Sequence, residues 1–144
     1  MGRWLGATLV AAVALVASCN SNDGPTEPIV DPLAGVAAEA SLALDLRDID
    51  FSEEVLTISV GTVVAIALDN RGRLVHDFTI QRIPADVSAA GQQRRGTFDV
   101  HVRLDGGDSA RLLLRVTAPG EYAFFCSVAG HRQAGMEGML TVTP

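Results

Sequence analysis

The 144-residue chain is long enough for one domain with a single hydrophobic core, since most domains contain about 100 to 200 residues. Its formal net charge of −6 argues against the concentrated Lys and Arg that phosphate-binding surfaces need. We therefore expect one folded domain with no nucleic-acid partner.

The first 18 residues have the layout of a secretion signal. One positive charge, at Arg3, precedes an apolar run over residues 5–16 that is too short to cross a bilayer as a helix. The run ends in small residues before Cys19, an order that resembles the bacterial lipobox, in which the cysteine is acylated before cleavage. We predict a lipoprotein-type signal peptide over residues 1–18 and lipidation of Cys19. The alternative is an ordinary signal peptide in which Cys19 is incidental.

Residues 19–38 are rich in Pro, Gly, Ser and Asn and contain few large apolar side chains. A segment of this composition cannot bury enough surface to fold, so it predicts a flexible linker between Cys19 and a domain at residues 39–144. We expect the protein to be exported to the cell envelope and lipid-anchored to a membrane, at its periplasmic or extracytoplasmic face.

The folded domain has the two-residue periodicity of β-strands. From Ser41 onward apolar residues recur at every second position, and the breaks contain turn residues such as Asn70-Arg71-Gly72. Residues 84–96 are polar and predict a loop with at most a short helix. The sequence therefore predicts an all-β domain, an antiparallel sandwich or Greek-key barrel. Its eight strands are expected at residues 42–46, 56–60, 64–68, 78–82, 97–104, 110–116, 122–126 and 138–143.

The stretch with the strongest chemical signal lies near the C-terminus. It places Cys126, His131 and Met136 in the pattern C-x4-H-x4-M, which brings a thiol, an imidazole and a thioether together. These are the ligand types of a blue-copper electron-transfer site, which needs one further histidine. His76, at the start of a predicted strand, is the candidate. The soft sulfurs favour Cu(I) and the imidazoles tolerate Cu(II), so one copper ion could be held in both oxidation states.

Each candidate also has a purely structural interpretation. A lone cysteine such as Cys126 is more often a buried apolar residue than a ligand, and His76 could be a hydrogen-bonded strand histidine. Met139 could replace Met136 as the thioether, although it lies inside the last predicted strand. His101, between two valines on a strand, is expected to face solvent.

The tail over residues 122–144, together with His76, resembles the copper loop of the cupredoxins, or blue type 1 copper proteins. Within that family the loop spacing is most similar to that of auracyanin, and less so to that of plastocyanin. The resemblance implies a Greek-key β-sandwich of about eight strands with copper near one end. It further implies that His76, Cys126 and His131 are strong equatorial ligands and that Met136 is the weak axial ligand.

Two neighbours of these ligands are expected to modify the site. Family members often have Asn directly after the first histidine, whereas this chain has Asp77, which can accept the same backbone hydrogen bonds but cannot donate an amide proton. In relatives with this loop the N–H two residues after the cysteine reaches the sulfur, and Val128 can supply it here. Such a donor withdraws charge from the thiolate and is expected to raise the reduction potential.

Four protein ligands leave no open position for a substrate, unlike catalytic metal sites, which keep one. We therefore expect a one-electron carrier and not an enzyme. The expected partners are redox proteins such as a cytochrome or a membrane oxidoreductase complex, and we expect a monomer. The main alternative is a copper chaperone or storage protein of the cell envelope without a redox partner. A third possibility is a sandwich that has lost copper and only docks partners.

Overall fold

The computed structural model describes residues 31–89 and 98–144, and these residues form ten β-strands. The predicted signal peptide, Cys19 and most of the predicted linker lie outside the described residues. The strands are β1 (Ala40–Arg47), β2 (Asp50–Phe51), β3 (Val55–Ser59), β4 (Val64–Asn70), β5 (His76–Ile80), β6 (Ala85–Ala89), β7 (Val100–Leu104), β8 (Ser109–Val116), β9 (Gly120–Phe125) and β10 (Glu137–Thr143). In this part of the chain there is no helix with the length and apolar character needed to cross a membrane.

The strands form two five-stranded sheets, which confirms the predicted all-β sandwich. The first sheet has the order β2-β1-β4-β8-β6 and the second has the order β3-β10-β9-β5-β7. Most neighbours are antiparallel, but β1 and β4 are parallel, as are β3 and β10. The antiparallel pairing predicted from the sequence is therefore wrong for these two pairs of strands. Between β1 and β4 the chain crosses to the other sheet to form β3, and such a crossover allows β4 to return in the direction of β1.

The region predicted as a loop at residues 84–96 contains a strand, β6, so that prediction is wrong for residues 85–89. The strand pairs antiparallel with β8 and places Val87 opposite Leu114. Val87 is the one buried side chain of the five, so no alternation of large apolar side chains indicates this strand in the sequence. It lies at the edge of its sheet, where Asp86 forms an ion pair with Arg115.

The alternating apolar side chains of the two sheets face each other and form one core. Successive side chains on a strand point to opposite faces, so on β3, for example, every second residue is buried. Fully buried residues of the first sheet are Leu44, Leu46, Ile66, Leu68, Leu112 and Leu114. From the second sheet, the ring of Phe124 lies 5.2 Å from the rings of both Phe51 and Phe78, measured between centroids. This core holds the two sheets as a firm support for the loops at their ends.

A smaller apolar cluster lies outside the main core. Leu33, within the segment predicted as linker, is fully buried against Val63, Ala65 and Leu113. The Asp31 carboxylate accepts the Leu33 N–H at 2.9 Å, which fixes the turn that carries this side chain. The domain therefore includes contacts from residues that precede β1.

The register between β5 and β9 determines which side chains meet at one end of the second sheet. Thr79 lies opposite Phe125 and Ile80 opposite Phe124, in antiparallel pairing. Continuing this register brings the beginning of β5, which carries His76, beside the residues that follow β9, which begin with Cys126. Two residues that are 50 positions apart in sequence are thereby placed side by side.

Asp77 joins the two strand ends where the backbone ladder stops. Its carboxylate is buried and accepts the Ser127 N–H at 2.6 Å and the Ser127 hydroxyl at 2.7 Å. It also accepts the Thr79 hydroxyl at 2.8 Å. These three bonds take the place of ladder hydrogen bonds at the point where the strands separate to form the loops.

Replacing Ile66 by Ala should lower the free energy of unfolding by about 2 to 5 kcal/mol, because Ile66 is fully buried in the main core and its truncation leaves a cavity. Urea denaturation of the two proteins measures the difference. Val55→Ala is the matched control, because Val55 is 60% exposed and its truncation should change stability by no more than about 0.5 kcal/mol. Equal effects of the two changes would contradict the core described here.

Asp77→Ala should destabilise the protein by about 1 to 3 kcal/mol for each buried group left without a partner. Asp77→Asn should cost much less, because the amide oxygen can accept the Ser127 N–H and the amide nitrogen can donate to the Ser127 hydroxyl. Denaturation of both variants gives the comparison. If Asn were as disruptive as Ala, hydrogen bonding would not explain the role of Asp77.

Candidate metal centre

Three of the sequence-predicted ligands meet in a buried cluster. One ligand atom from each of His76, Cys126 and His131 lies within 4.8 Å of the others. The Cys126 sulfur is 3.4 Å from His131 Nδ1 and 4.0 Å from His76 Nδ1. With metal–ligand bonds of about 2.0 to 2.3 Å, two donors on one tetrahedral ion lie roughly 3 to 4 Å apart, so these side chains fit around a single ion. No other His, Cys, Asp or Glu group of this kind occurs within residues 31–89 and 98–144.

The imidazole of His76 is held so that Nδ1 faces the sulfur. Its other nitrogen, Nε2, lies 3.0 Å from Oδ1 of Asp48. The backbone N–H of Arg73, the ring of His76 and the N–H of Leu74 lower the pKa of Asp48 to about 2, so its carboxylate is ionised and can only accept. His76 must therefore donate from Nε2, which leaves the Nδ1 lone pair free towards Cys126.

The Cys126 sulfur is fully buried and accepts hydrogen bonds from two backbone groups. The Asp77 N–H donates to it at 3.5 Å, and the Val128 N–H donates as well. Burial raises the pKa of the Cys126 thiol, and these two donors only partly oppose the effect. A metal ion that binds here must displace the thiol proton, as ligation by cysteine requires the thiolate.

Met136 lies at the far end of the loop that carries Cys126 and His131, directly before β10. Its side chain is fully buried. Its carbonyl oxygen accepts the Cys126 N–H at 3.0 Å, and its own N–H donates to the His131 carbonyl at 3.0 Å. The loop closes on itself, and Gly130 and Gly135 supply the positive φ angles of 87° and 104° that the tight path needs.

The outer side of this loop is held by Arg132. Its guanidinium carbon lies 4.1 Å from the centre of the Phe125 ring, and its Nε is 2.9 Å from Oε2 of Glu137. Arg132 therefore braces the loop between the end of β9 and the start of β10.

The prediction that His101 faces solvent is wrong. The side chain is only 9% exposed, and its Nδ1 lies 2.9 Å from the Thr79 hydroxyl. Alternation along β7 does place His101 on the side of the strand opposite Val100 and Val102, but Phe98 stacks on its ring at 5.8 Å and excludes water. Because the Thr79 hydroxyl donates to Asp77, His101 donates to Thr79 from Nδ1.

Asp48 is the residue of the site that sequence reasoning missed. It lies 28 residues before His76, in the turn between β1 and β2, and no local motif connects the two. The strand β4 leads into the loop before β5, and β1 leads into the turn that carries Asp48. The pairing of β1 with β4 therefore brings this carboxylate to the imidazole.

Comparisons with known proteins agree with this geometry. A family model described as a cupredoxin-like domain matches residues 7–142. The copper-resistant cuproprotein CopI of Rubrivivax gelatinosus is 27% identical over 88% of this chain and 79% of its own length. Auracyanin-B of Chloroflexus aurantiacus is 30% identical over 65% of this chain, but the match spans only 47% of that protein. The CopI protein of Pseudomonas aeruginosa is 25% identical over 99% of this chain and 98% of its own length.

Solved structures support the fold. An auracyanin B structure superposes with a TM-score of 0.60 and 21% identity, covering 75% of this chain and 91% of that one. A multicopper oxidase from Campylobacter jejuni gives a TM-score of 0.58 at 14% identity, but the match covers only 31% of that larger chain. With the family model matched over most of the sequence and a buried thiol between two imidazoles, the chain belongs to the cupredoxin family and its cofactor is copper.

Proposed function

We propose that this protein is a one-electron carrier whose copper ion is held by His76, Cys126, His131 and Met136. The observation that carries the proposal is the convergence of two imidazole Nδ1 atoms on one buried sulfur, at 3.4 and 4.0 Å. Copper bound by these ligands would supply a Cu(I)/Cu(II) couple, and the mixture of soft sulfur and imidazole donors suits both oxidation states.

The surroundings of the ligands favour a site that changes little between oxidation states. His76 is held by Asp48, the Cys126 sulfur by two N–H donors, and the loop up to Met136 by its own backbone hydrogen bonds. Among residues 31–89 and 98–144, no buried side-chain nitrogen or oxygen lacks a hydrogen-bond partner. A ligand set fixed in this way keeps its geometry when an electron arrives, which makes transfer fast.

The thioether of Met136 is proposed as the weak axial ligand. Its side chain is fully buried at the base of the same loop, whereas Met139 lies within β10, paired with Ala123 and Val55. The three other ligands have no exposed surface beyond the 8% of His131. Electron exchange with a partner is therefore proposed to pass through the His131 side of the site.

The setting of this carrier follows from the N-terminal segment. After removal of a signal peptide over residues 1–18, a lipidated Cys19 and a linker would hold the copper domain at the periplasmic or extracytoplasmic face of a membrane, in the cell envelope. The proposed partners are redox proteins such as a cytochrome or a membrane oxidoreductase complex, and the carrier would act as a monomer. No catalytic activity is proposed, because four protein ligands would leave no open position for a substrate.

Cu(II) added to the purified domain should produce an intense visible absorption band, because a thiolate bound to Cu(II) gives strong charge transfer. Cys126→Ser should abolish the band, and His76→Ala should weaken copper binding strongly, whereas His101→Gln should retain both the band and the copper. Absorption spectra and metal analysis of the four proteins check this. A colourless wild-type protein that still binds one copper ion would contradict the proposal that the protein is an electron carrier.

A second candidate function is copper handling without a redox partner, as a store or chaperone. It is favoured by the two relatives named as copper-resistant cuproproteins, which align with 88% and 99% of this chain. A store must release its metal, whereas a carrier must retain copper through repeated reduction and oxidation.

The copper-loaded domain should therefore keep its metal through ten cycles of ascorbate and ferricyanide in the presence of a Cu(I) chelator, because the ligands are buried and fixed. The absorption recovered after each cycle and the copper taken by the chelator are the measurements. Arg132→Ala, which frees the outer side of the loop, is the control that should release copper faster. Rapid and complete loss of Cu(I) from the wild-type domain would favour the store.

A further inference from the structure

We propose that Asp48 is a positioning residue for the copper site, which sets the orientation, the tautomer and the donor strength of the His76 imidazole. The inference rests on the proposed function in one respect, namely that His76 is a copper ligand. Nothing in the sequence or in the comparisons assigns a role to Asp48. Its carboxylate is not part of the cluster that His76, Cys126 and His131 form.

The Asp48 carboxylate accepts hydrogen bonds from three groups in the loop before β5 and at the first residue of that strand. The N–H of Arg73 lies 3.0 Å from both carboxylate oxygens, the N–H of Leu74 lies 3.1 Å from Oδ1, and Nε2 of His76 lies 3.0 Å from Oδ1. One side chain from the β1–β2 turn therefore holds the loop and the ring that follows it. The ring is fully buried, whereas Asp48 is 35% exposed, so the carboxylate approaches the ring from the solvent side.

The loop is shaped to receive this carboxylate. Gly72 leaves the space open, because a Cβ at that position would collide with Oδ1 of Asp48 and lie 2.9 Å from its Cγ. On the other side, the buried Asn70 donates to the carbonyls of Leu74 and Leu104 and accepts the N–H of Gly72. Asp48 and Asn70 together leave the loop little freedom, so the His76 ring cannot turn away from Cys126.

The charge of Asp48 has a chemical consequence beyond orientation. A carboxylate that accepts the Nε2–H of an imidazole fixes Nδ1 as the free nitrogen and makes that nitrogen a stronger donor to a metal. A stronger imidazole donor favours Cu(II) over Cu(I). Asp48 should therefore lower the reduction potential, in opposition to the two N–H groups that withdraw charge from the Cys126 sulfur.

Asp48→Asn is the variant that separates charge from geometry. An amide oxygen in place of Oδ1 can still accept from Leu74, Arg73 and His76, but it carries no full negative charge. We expect the affinity for Cu(II) to fall about tenfold, at the low end of the 10- to 100-fold range for such partners, while the affinity for Cu(I) changes little. For a one-electron couple that change raises the reduction potential by about 59 mV.

Asp45→Asn is the matched control. Asp45 lies on β1, three residues before Asp48, and its carboxylate binds Arg71, not a histidine. The control removes the same charge from the same end of β1 without touching the ring, so its potential should stay close to that of the wild type. Voltammetry and competition titrations with Cu(II) and Cu(I) chelators compare the three proteins.

A second measurement uses the copper-free protein. In ¹⁵N-edited NMR, the His76 ring of the wild type should show a slowly exchanging Nε2–H and an unprotonated Nδ1. Asp48→Ala should lose that protected proton, and Gly72→Ala, which pushes the carboxylate away, should lose it as well. Asp48→Asn and Asp45→Asn should keep it, and the far-UV circular dichroism of all five proteins should show the same β-sheet fold.

The two measurements distinguish failure of this inference from failure of the proposed function. A wild-type domain with no reversible copper couple would overturn the carrier, and the NMR result would then decide the role of Asp48 by itself. A reversible couple whose potential is equal in Asp48→Asn and Asp45→Asn would overturn the inference while leaving the carrier in place. Retention of the His76 Nε2–H signal in Asp48→Ala would overturn it as well.

Discussion

The copper site depends on one antiparallel pairing, between β5 and β9. That pairing brings the side chain of His76, the first residue of β5, within 4.0 Å of the sulfur of Cys126, the first residue after β9. A shift of one residue in the register would reverse which face each side chain points to, and the imidazole would leave the sulfur. The Asp77 carboxylate, with its two hydrogen bonds to Ser127, holds the register at the position where the backbone ladder ends. One of the four proposed ligands, His76, thus joins the three ligands of the loop only through a contact between strands.

The cluster has opposing electrostatic influences on its two sides. On the sulfur side, burial raises the pKa of Cys126 while backbone N–H groups of Asp77 and Val128 stabilise the thiolate. On the imidazole side, the Asp48 carboxylate strengthens the donor nitrogen of His76. The N–H groups at the sulfur favour the reduced state of a bound copper ion, and the carboxylate at the imidazole favours the oxidised state. The balance of these groups, none of which is itself a proposed ligand, is what the fold contributes to the chemistry.

Much of the fold could be predicted because half-buried strands alternate apolar and polar residues. The strands centred on Leu44, Ile58 and Ile66 are predicted by this alternation. The strand at Ala85–Ala89 was missed because it is an edge strand with one buried apolar side chain, and the parallel pairs were missed because alternation contains no information about strand direction. Alternation correctly predicts that His101 lies on the face of β7 opposite Val100 and Val102. It does not predict that the ring of Phe98, which precedes β7, covers the His101 ring and buries it.

The sequence by itself determined the chemistry, because a thiol, an imidazole and a thioether at C-x4-H-x4-M spacing lie within one short loop whose residues must stay close. It also indicated Asp77, whose neighbour in sequence, His76, is a proposed ligand. The tertiary structure alone decided that His76 reaches the sulfur, that Asp48 holds His76 from 28 residues away, and that His101 is enclosed. These contacts join strands that are distant in the chain, and their geometry arises only when both sheets have paired and closed over the common core.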